Sequence, residues 1–307
     1  MAGFRGIRTA AVVAGTVGGL SSAAYGLLAV QSKRASDVIG EPEDDPLNAD
    51  GVYLPDGSGP HPFGIGPDPL RFAVIGDSAA AGLGVDLPAQ LPGVLLAKAM
   101  AEESDRSVLL TTYAVSGKTS RDLAEQVDRA LADPPTVALV IIGANDVAET
   151  LSIRESARLL GAQLGRLRAG GAAVVVGTCP DLGAVRPIPQ PLRYLASMLS
   201  RMVARAQLGA VVRAGCAPVA LAELLSPEFF ARPDDLFSDD RFHPNAAGYE
   251  AAAAILLAPL CIAAGVWKSG ESGESGAWGS TSSTEPIAQP IPIRSLRPEV
   301  SETSLAG

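Results

Sequence analysis

Histidine and cysteine are both scarce in this chain, at two and three residues out of 307. Cys179, Cys216 and Cys261 stand far apart, with neither the close spacing of a zinc ligand set nor that of a redox motif. With only His61 and His243 to add, no metal site and no cofactor are implied. Cys179 follows one predicted strand and Cys216 precedes the next, so in a parallel sheet they fall at opposite edges, and three free thiols are expected. Basic clusters are missing from the body of the chain, and the formal net charge is −9. Nucleic acid, whose affinity comes mainly from Lys and Arg on phosphates, is thereby excluded as a partner. Aromatic residues make up only 5% of the chain, which leaves little material for a platform that stacks sugar rings.

Charge is absent from Thr9 to Val30, a run rich in Ala, Val, Leu and Gly and about long enough to cross a bilayer as a helix. Arg5 and Arg8 precede it and Lys33 and Arg34 follow it, so the positive-inside rule does not set its orientation. Ser22-Ala23-Ala24 has the small-x-small form of a cleavage site, but the apolar run continues past it through Leu27, Leu28 and Val30. Residues 1–34 therefore read as an uncleaved signal anchor, ahead of a cleaved signal peptide and of a buried core helix. The protein is expected to be exported, anchored in the membrane and facing outside, or secreted where the signal is cut. Residues 35–69, rich in Pro, Gly and Asp and without periodicity, read as a linker. Residues 268–307 turn to Gly, Ser, Glu, Thr and Pro and read as a disordered tail.

What the chain does have is apolar material, 47% of its residues, in a regular alternation. Short β-rich runs at 71–76, 108–113, 137–142, 172–177 and 218–221 are separated by helical stretches near 89–103, 119–132, 154–169, 191–213 and 245–265. That is the βαβ pattern of a parallel sheet covered on both faces. One α/β domain over 70–267, with five strands, is expected.

Ligands of open parallel sheets bind beyond the carboxyl ends of the strands, and the chemistry-bearing residues fall there. The first strand ends in Gly76-Asp77-Ser78, and Ala79-Ala80-Ala81-Gly82 keeps side chains small as the chain turns into a helix. Ser78 then stands near a helix N-terminus, where free N–H groups and the dipole favour negative charge. The second strand ends at Ser116-Gly117-Lys118-Thr119 and the third at Gly143-Ala144-Asn145-Asp146. The N–H groups of Ser78 and Gly117 and the amide of Asn145 make three donors for an oxyanion. A serine needs a base to take its proton and the base needs a carboxylate to orient it. His243 has Asp240 three residues earlier, with Asp239 as a competitor; His61 has no carboxylate at short spacing before it. Taken singly, Gly-Asp-Ser, Gly117 and Asn145 are ordinary turn and cap residues; the coincidence at successive strand ends outweighs that reading. Ser78 and His243 are expected to be surface-accessible at the sheet edge.

The set Gly76-Asp77-Ser78 with Gly82, Gly117, Gly143-Ala144-Asn145-Asp146 and Asp240-Arg241-Phe242-His243-Pro244 resembles the blocks of the SGNH, or GDSL, hydrolase family in their usual order. The resemblance spans about residues 70 to 266, and the exported or anchored form is similar to envelope esterases of actinobacteria. It implies a three-layer α/β/α, flavodoxin-like fold with a five-stranded parallel sheet in the order 2-1-3-4-5. It also implies a serine esterase with Ser78 as nucleophile, His243 as base and Asp240 as orienting acid. Ser78, Gly117 and Asn145 are the implied oxyanion donors. Short-chain carboxylic esters rank first as substrates; carbohydrate O-acetyl esterase, thioesterase or acyltransferase action on lipid or glycan esters of the envelope is the alternative. A membrane-tethered binding module without activity ranks last. The chain departs from the family in carrying Tyr113-Ala114-Val115 where an Asn often precedes the block-two glycine, and the Gly-x-Ser-x-Gly elbow of α/β-hydrolases is absent. Selectivity for the acyl and alcohol groups is expected from the loops at 80–93, 147–152 and 179–193.

Overall fold

The computed structural model describes residues 22–39, 46–64, 68–149 and 151–267. Most of the uncharged N-terminal run and all of the expected C-terminal tail lie outside the described residues. The elements in chain order are α1 (Ser22–Ile39), β1 (Gly51–Tyr53), β2 (Leu70–Gly76), α2 (Ser78–Ala81), α3 (Pro92–Ser104), β3 (Val108–Thr112), α4 (Leu123–Ala132) and β4 (Val137–Ile141). They continue with α5 (Ala144–Ala148), α6 (Ile153–Ala169), β5 (Ala173–Gly177), α7 (Leu192–Arg213), β6 (Ala217–Val219), α8 (Leu221–Leu224), α9 (Ser226–Ala231), α10 (Pro233–Leu236) and α11 (Ala246–Ala263).

The sheet has six strands in the order β1-β3-β2-β4-β5-β6. The strands from β2 to β6 pair in parallel, in the spatial order expected for the five predicted strands. Side chains alternate across it with period two. Phe72, Val74 and Leu139 pack on one face with Leu96 and Met100 of α3 and Leu256 and Leu260 of α11. Ala73, Ile75 and Val140 pack on the other with α4, α6 and the C-terminal part of α7, through Leu123, Val127, Leu160, Leu164 and Val211. Because both faces are covered, the strands read as nearly unbroken apolar runs rather than as alternating ones.

Two corrections follow. The expected sheet had five strands, and the sixth, β1, comes from the stretch expected to be a linker. It pairs antiparallel with β3, Val52 exchanges backbone hydrogen bonds with His61 at 2.9 and 2.8 Å, and buried Tyr53 donates its hydroxyl to the Ala49 carbonyl at 2.6 Å. A three-residue strand between Pro and Gly residues is too short to show alternation, and only the free edge of β3 selects it. The second correction concerns the boundary at residue 34: α1 runs through it, with Leu28, Gln31, Ser32 and Ala35 buried. Gln31 accepts the Leu192 N–H at 3.2 Å and donates to the Gln190 carbonyl, so α1 is clamped to the start of α7.

Among the described residues one helix, α11, is long and apolar enough to cross a membrane. Its Tyr249, Ala253, Leu256 and Leu260 are buried in the core, which accounts for its composition. All three cysteines are free and buried.

Candidate active site

The chain leaves β2 through Gly76, whose φ is +145°; a Cβ there would lie 1.8 Å from the Ile141 carbonyl oxygen. Only glycine permits so close an approach to β4. Gln126 of α4 accepts the Gly76 N–H at 2.8 Å and donates to its carbonyl at 2.9 Å, which completes the strand end. Asp77 then caps the one-turn helix α2 by accepting the Ala79 N–H at 3.1 Å, and Ser78 is the first helical residue. Its side chain is thereby fixed at the carboxyl end of the sheet.

The loop between α10 and α11 brings the second half of the site. Asn245 caps α11 through Gly248 N–H at 3.0 Å while its amide donates to the carbonyls of Asp235 and Phe237 at 2.9 and 3.1 Å. Within that loop Arg241 takes a left-handed φ of +54° and Ser238 N–H bonds back to the His243 carbonyl at 2.9 Å. The turn aims the imidazole inward: His243 Nε2 stands 2.9 Å from Ser78 Oγ and Nδ1 2.6 Å from Asp240 Oδ2. An ionised carboxylate only accepts, so Nδ1 carries the proton and Nε2 offers its lone pair to the serine hydroxyl.

Asp240 is held as tightly as it holds. Its Oδ1 accepts from Ser238 Oγ at 2.7 Å, Phe242 N–H at 2.8 Å and His243 N–H at 2.9 Å. Burial alone raises its pKa, but the hydrogen bond and charge of His243 and the two backbone donors outweigh it and bring the carboxyl down to about 2. Asp239, its competitor in the sequence, makes none of these contacts.

The two residues expected at an accessible sheet edge are instead nearly covered, Ser78 at 7% and His243 at 4% exposure. The segment after α2 closes over them. Gly84, at φ +100°, lies so close that a Cβ would meet the Pro244 carbonyl at 2.6 Å and His243 Cβ at 3.0 Å. Tyr249 of α11 donates its hydroxyl to the Leu83 carbonyl at 2.8 Å and pins the same segment. Neither role was visible in the sequence, where the one trace of it is a glycine two residues beyond Gly82.

Asn145 lies in α5, directly after β4, and its Nδ2 donates to the Lys118 carbonyl at 2.9 Å. The loop of Gly117, which has φ +73°, is thus tied to the loop of Asn145, and the amide keeps a second N–H for another acceptor. Asp146, fully buried, secures the arrangement by accepting Ser120 N–H at 2.8 Å, Ser120 Oγ at 2.6 Å and Ser156 Oγ at 2.5 Å. Gln207 of α7 repeats the device of Gln126, accepting the Cys179 N–H at 2.7 Å and donating to the Ile142 carbonyl at 2.9 Å.

Burial pushes the Asp77 carboxyl up to about 7; the backbone N–H groups of Ala79, Gly143 and Ala80 pull it down, and nearby Asp146 adds to the rise. An acid whose folded pKa lies above its unfolded value stabilises the fold below the unfolded value of about 4, and that contribution is lost as pH rises toward 7. Asp77→Asn keeps an oxygen for the Ala79 N–H and cannot ionise. Its Tm relative to the parent protein is expected to climb as pH goes from 5 to 8, measured by calorimetry. Parallel pH profiles of the two proteins would show that Asp77 does not titrate in this window.

Residues 74–251 match the model of the GDSL-like Lipase/Acylhydrolase family. A GDSL-like esterase of Mycobacterium tuberculosis is 41% identical over 268 residues, which cover 82% of this chain and 83% of that protein. Among solved structures, a lipase/acylhydrolase from Enterococcus faecalis superposes with a TM-score of 0.52 at 17% identity, covering 63% of this chain and 95% of that chain. A phospholipase A1 from Streptomyces albidoflavus gives 0.51 at 17% identity, with 63% and 98% covered. These two structures show a common fold, whereas the family model and the mycobacterial relative carry the assignment further: the chain belongs to the GDSL-like lipase/acylhydrolase family and is an ester hydrolase.

Proposed function

We propose that the protein is a serine esterase that hydrolyses carboxylic esters of short acyl chains through Ser78, His243 and Asp240. The observation that carries this reading is the unbroken line from Ser78 Oγ to His243 at 2.9 Å and on to Asp240 at 2.6 Å. Ser78 Oγ attacks the ester carbonyl carbon while His243 Nε2 takes its proton, and Asp240 stabilises the imidazolium that results. The negative charge on the former carbonyl oxygen is received by the N–H groups of Ser78 and Gly117 and by the Asn145 amide, beside the N-terminus of α2. His243 then protonates the departing alcohol, and the acyl group stays on Ser78. A water that gives its proton to His243 attacks that acyl group, and collapse of the second oxyanion releases the acid and returns the proton to Ser78.

The uncharged run from Thr9 to Val30 overlaps the start of α1, and its length and apolar composition support an envelope location with the domain held at a membrane. The supply of substrate would then be soluble or lipid esters at that membrane.

A fluorophosphonate probe tests the nucleophile, since it reacts only with a serine whose proton is withdrawn. Stoichiometric labelling of the Ser78 peptide by mass spectrometry is expected, and absence of labelling in folded protein would overturn the mechanism. The same preparation, assayed on p-nitrophenyl esters of increasing chain length, should show kcat/KM falling beyond short acyl chains. Asn145→Ala is expected to lower kcat by roughly a hundred- to a thousandfold, about 3–4 kcal/mol, with a smaller change in KM. A raised KM at unchanged kcat would make Asn145 a substrate-binding residue instead of an oxyanion donor.

A further inference from the structure

Helix α7 is 22 residues long, carries four arginines and contains no acidic residue, in a chain whose net charge is −9. Its inward face packs on α6 and the sheet, and its outward face is unusually apolar. Tyr194, Met198, Met202, Leu208 and Val212 are all exposed, Tyr194 by 66% and Val212 by 55%. At 100° per residue these five fall on a single arc of about 120°, together with Arg205 and with Arg201, whose guanidinium pairs with the buried Asp181 carboxylate at 3.2 Å. An exposed apolar stripe set with arginines is the pattern of a helix that lies on an anionic surface, its apolar side chains in the acyl boundary and its cations at the headgroups.

Two further observations point to the same occupant. Helix α1, clamped to the start of α7 through Gln31, repeats the combination on its own outward side, where Leu27 and Val30 are half-exposed beside exposed Lys33 and Arg34. The first nine residues of that helix, Ser22 to Val30, are also the last nine of the uncharged run from Thr9. Residues 9–21 of that run precede α1, so a membrane that holds them lies close to the start of α1.

We infer that the outward face of α7, together with that of α1, docks on an anionic phospholipid bilayer. The inference extends the proposed membrane location and rests on it for the nearness of a bilayer, but not on the ester chemistry. On its inward side α7 packs toward the site. Leu28 of α1 and Leu192, Leu195 and Leu199 of α7 belong to one apolar cluster with Val147 and Ala148, which follow Asn145, and with Phe242, which precedes His243.

The test uses the full chain reconstituted into phosphatidylcholine vesicles, with or without phosphatidylglycerol. An environment-sensitive fluorophore is attached through Met198→Cys, or through Glu102→Cys on α3 at the opposite face of the sheet. Both positions are exposed and the three native cysteines are buried, so labelling is selective. In anionic vesicles a headgroup-level spin-labelled lipid is expected to quench the probe at 198 several-fold more than the probe at 102. The difference should shrink at high salt, where the arginines are screened. Equal quenching at both positions in protein that floats with the vesicles overturns the inference and leaves the anchor standing. Protection of position 198 from aqueous iodide without lipid quenching also overturns it, since a second copy of the chain or its own N-terminal segment then covers the face. Protein that does not float with the vesicles at all fails the anchor reading itself. The double substitution Met198→Glu with Met202→Glu supplies a functional readout on exposed positions. It is expected to lower the rate on an ester dissolved in the vesicles about tenfold and leave the rate on a soluble p-nitrophenyl ester unchanged. Equal rates on the vesicle ester would overturn the inference, whatever the soluble assay shows about the esterase chemistry.

Discussion

Ser78→Ala and His243→Ala are each expected to lower ester turnover by a factor of about a thousand or more, with the fold retained. The reason lies in how little else these atoms do. Ser78 Oγ bonds His243 at 2.9 Å, whereas the cap of α2 is made by Asp77 and the turn beyond by backbone, so the alanine leaves the local structure in place. Loss of the imidazole removes an edge-on contact with Phe242, at 4.8 Å between ring centroids, and one of four donors to Asp240. A stability cost of about 1–3 kcal/mol is expected for His243→Ala and less for Ser78→Ala. Because the two side chains act as one unit, the double substitution should be scarcely slower than either single one. The check is kcat/KM on a p-nitrophenyl ester beside a thermal melt. A variant that melts normally and keeps a rate near that of the parent would remove its residue from the mechanism.

Asp240→Asn should cut kcat by roughly a hundred- to ten-thousandfold while leaving the geometry of the loop almost unchanged. An amide in this place still accepts the Phe242 and His243 N–H groups at Oδ1, but it can turn an N–H toward His243 Nδ1. That favours the tautomer with its proton on Nε2, which cannot receive the serine proton. Asp239→Asn, one residue earlier, should leave the rate within about twofold. If Asp239→Asn reproduces the loss and Asp240→Asn does not, the orienting acid has been placed one residue too late.

The same substitution has a signature in acid. The folded-state pKa of Asp240, about 2, lies below the ordinary carboxyl value, so its contribution to stability is complete above about pH 4 and disappears as pH falls toward 2. The stability gap between parent and variant should accordingly close over that window. A gap that stays constant down to pH 2 would mean that Asp240 does not owe its ionisation to His243 and the two backbone donors.

The sequence by itself determined the parallel sheet, its helical cover and the residues that gather at its carboxyl end. Those signals are local: apolar runs such as Val137–Ile141, glycines where strands end, a serine behind a capping aspartate, and a carboxylate three residues before a histidine. Each of them constrains a few neighbouring residues; right-handed crossovers restrict the strand order without fixing it, and the order 2-1-3-4-5 is what the family resemblance implies. What only the tertiary structure decided is what touches across the chain. Strand β1 exists because β3 offers it an edge, and Gln31 holds α1 to α7 from about 160 residues away in sequence, a pairing no period could announce. Gln126 and Gln207 look like ordinary helix residues until the strand ends they complete are placed beside them. Gly84 and Tyr249 likewise gain their meaning only when the segment after Ser78 folds over His243 and buries it. Local chemistry can be read from the order of residues, because it is written within one turn or one strand. Burial and partnership depend on which distant surfaces meet, and that is set by packing of the whole chain.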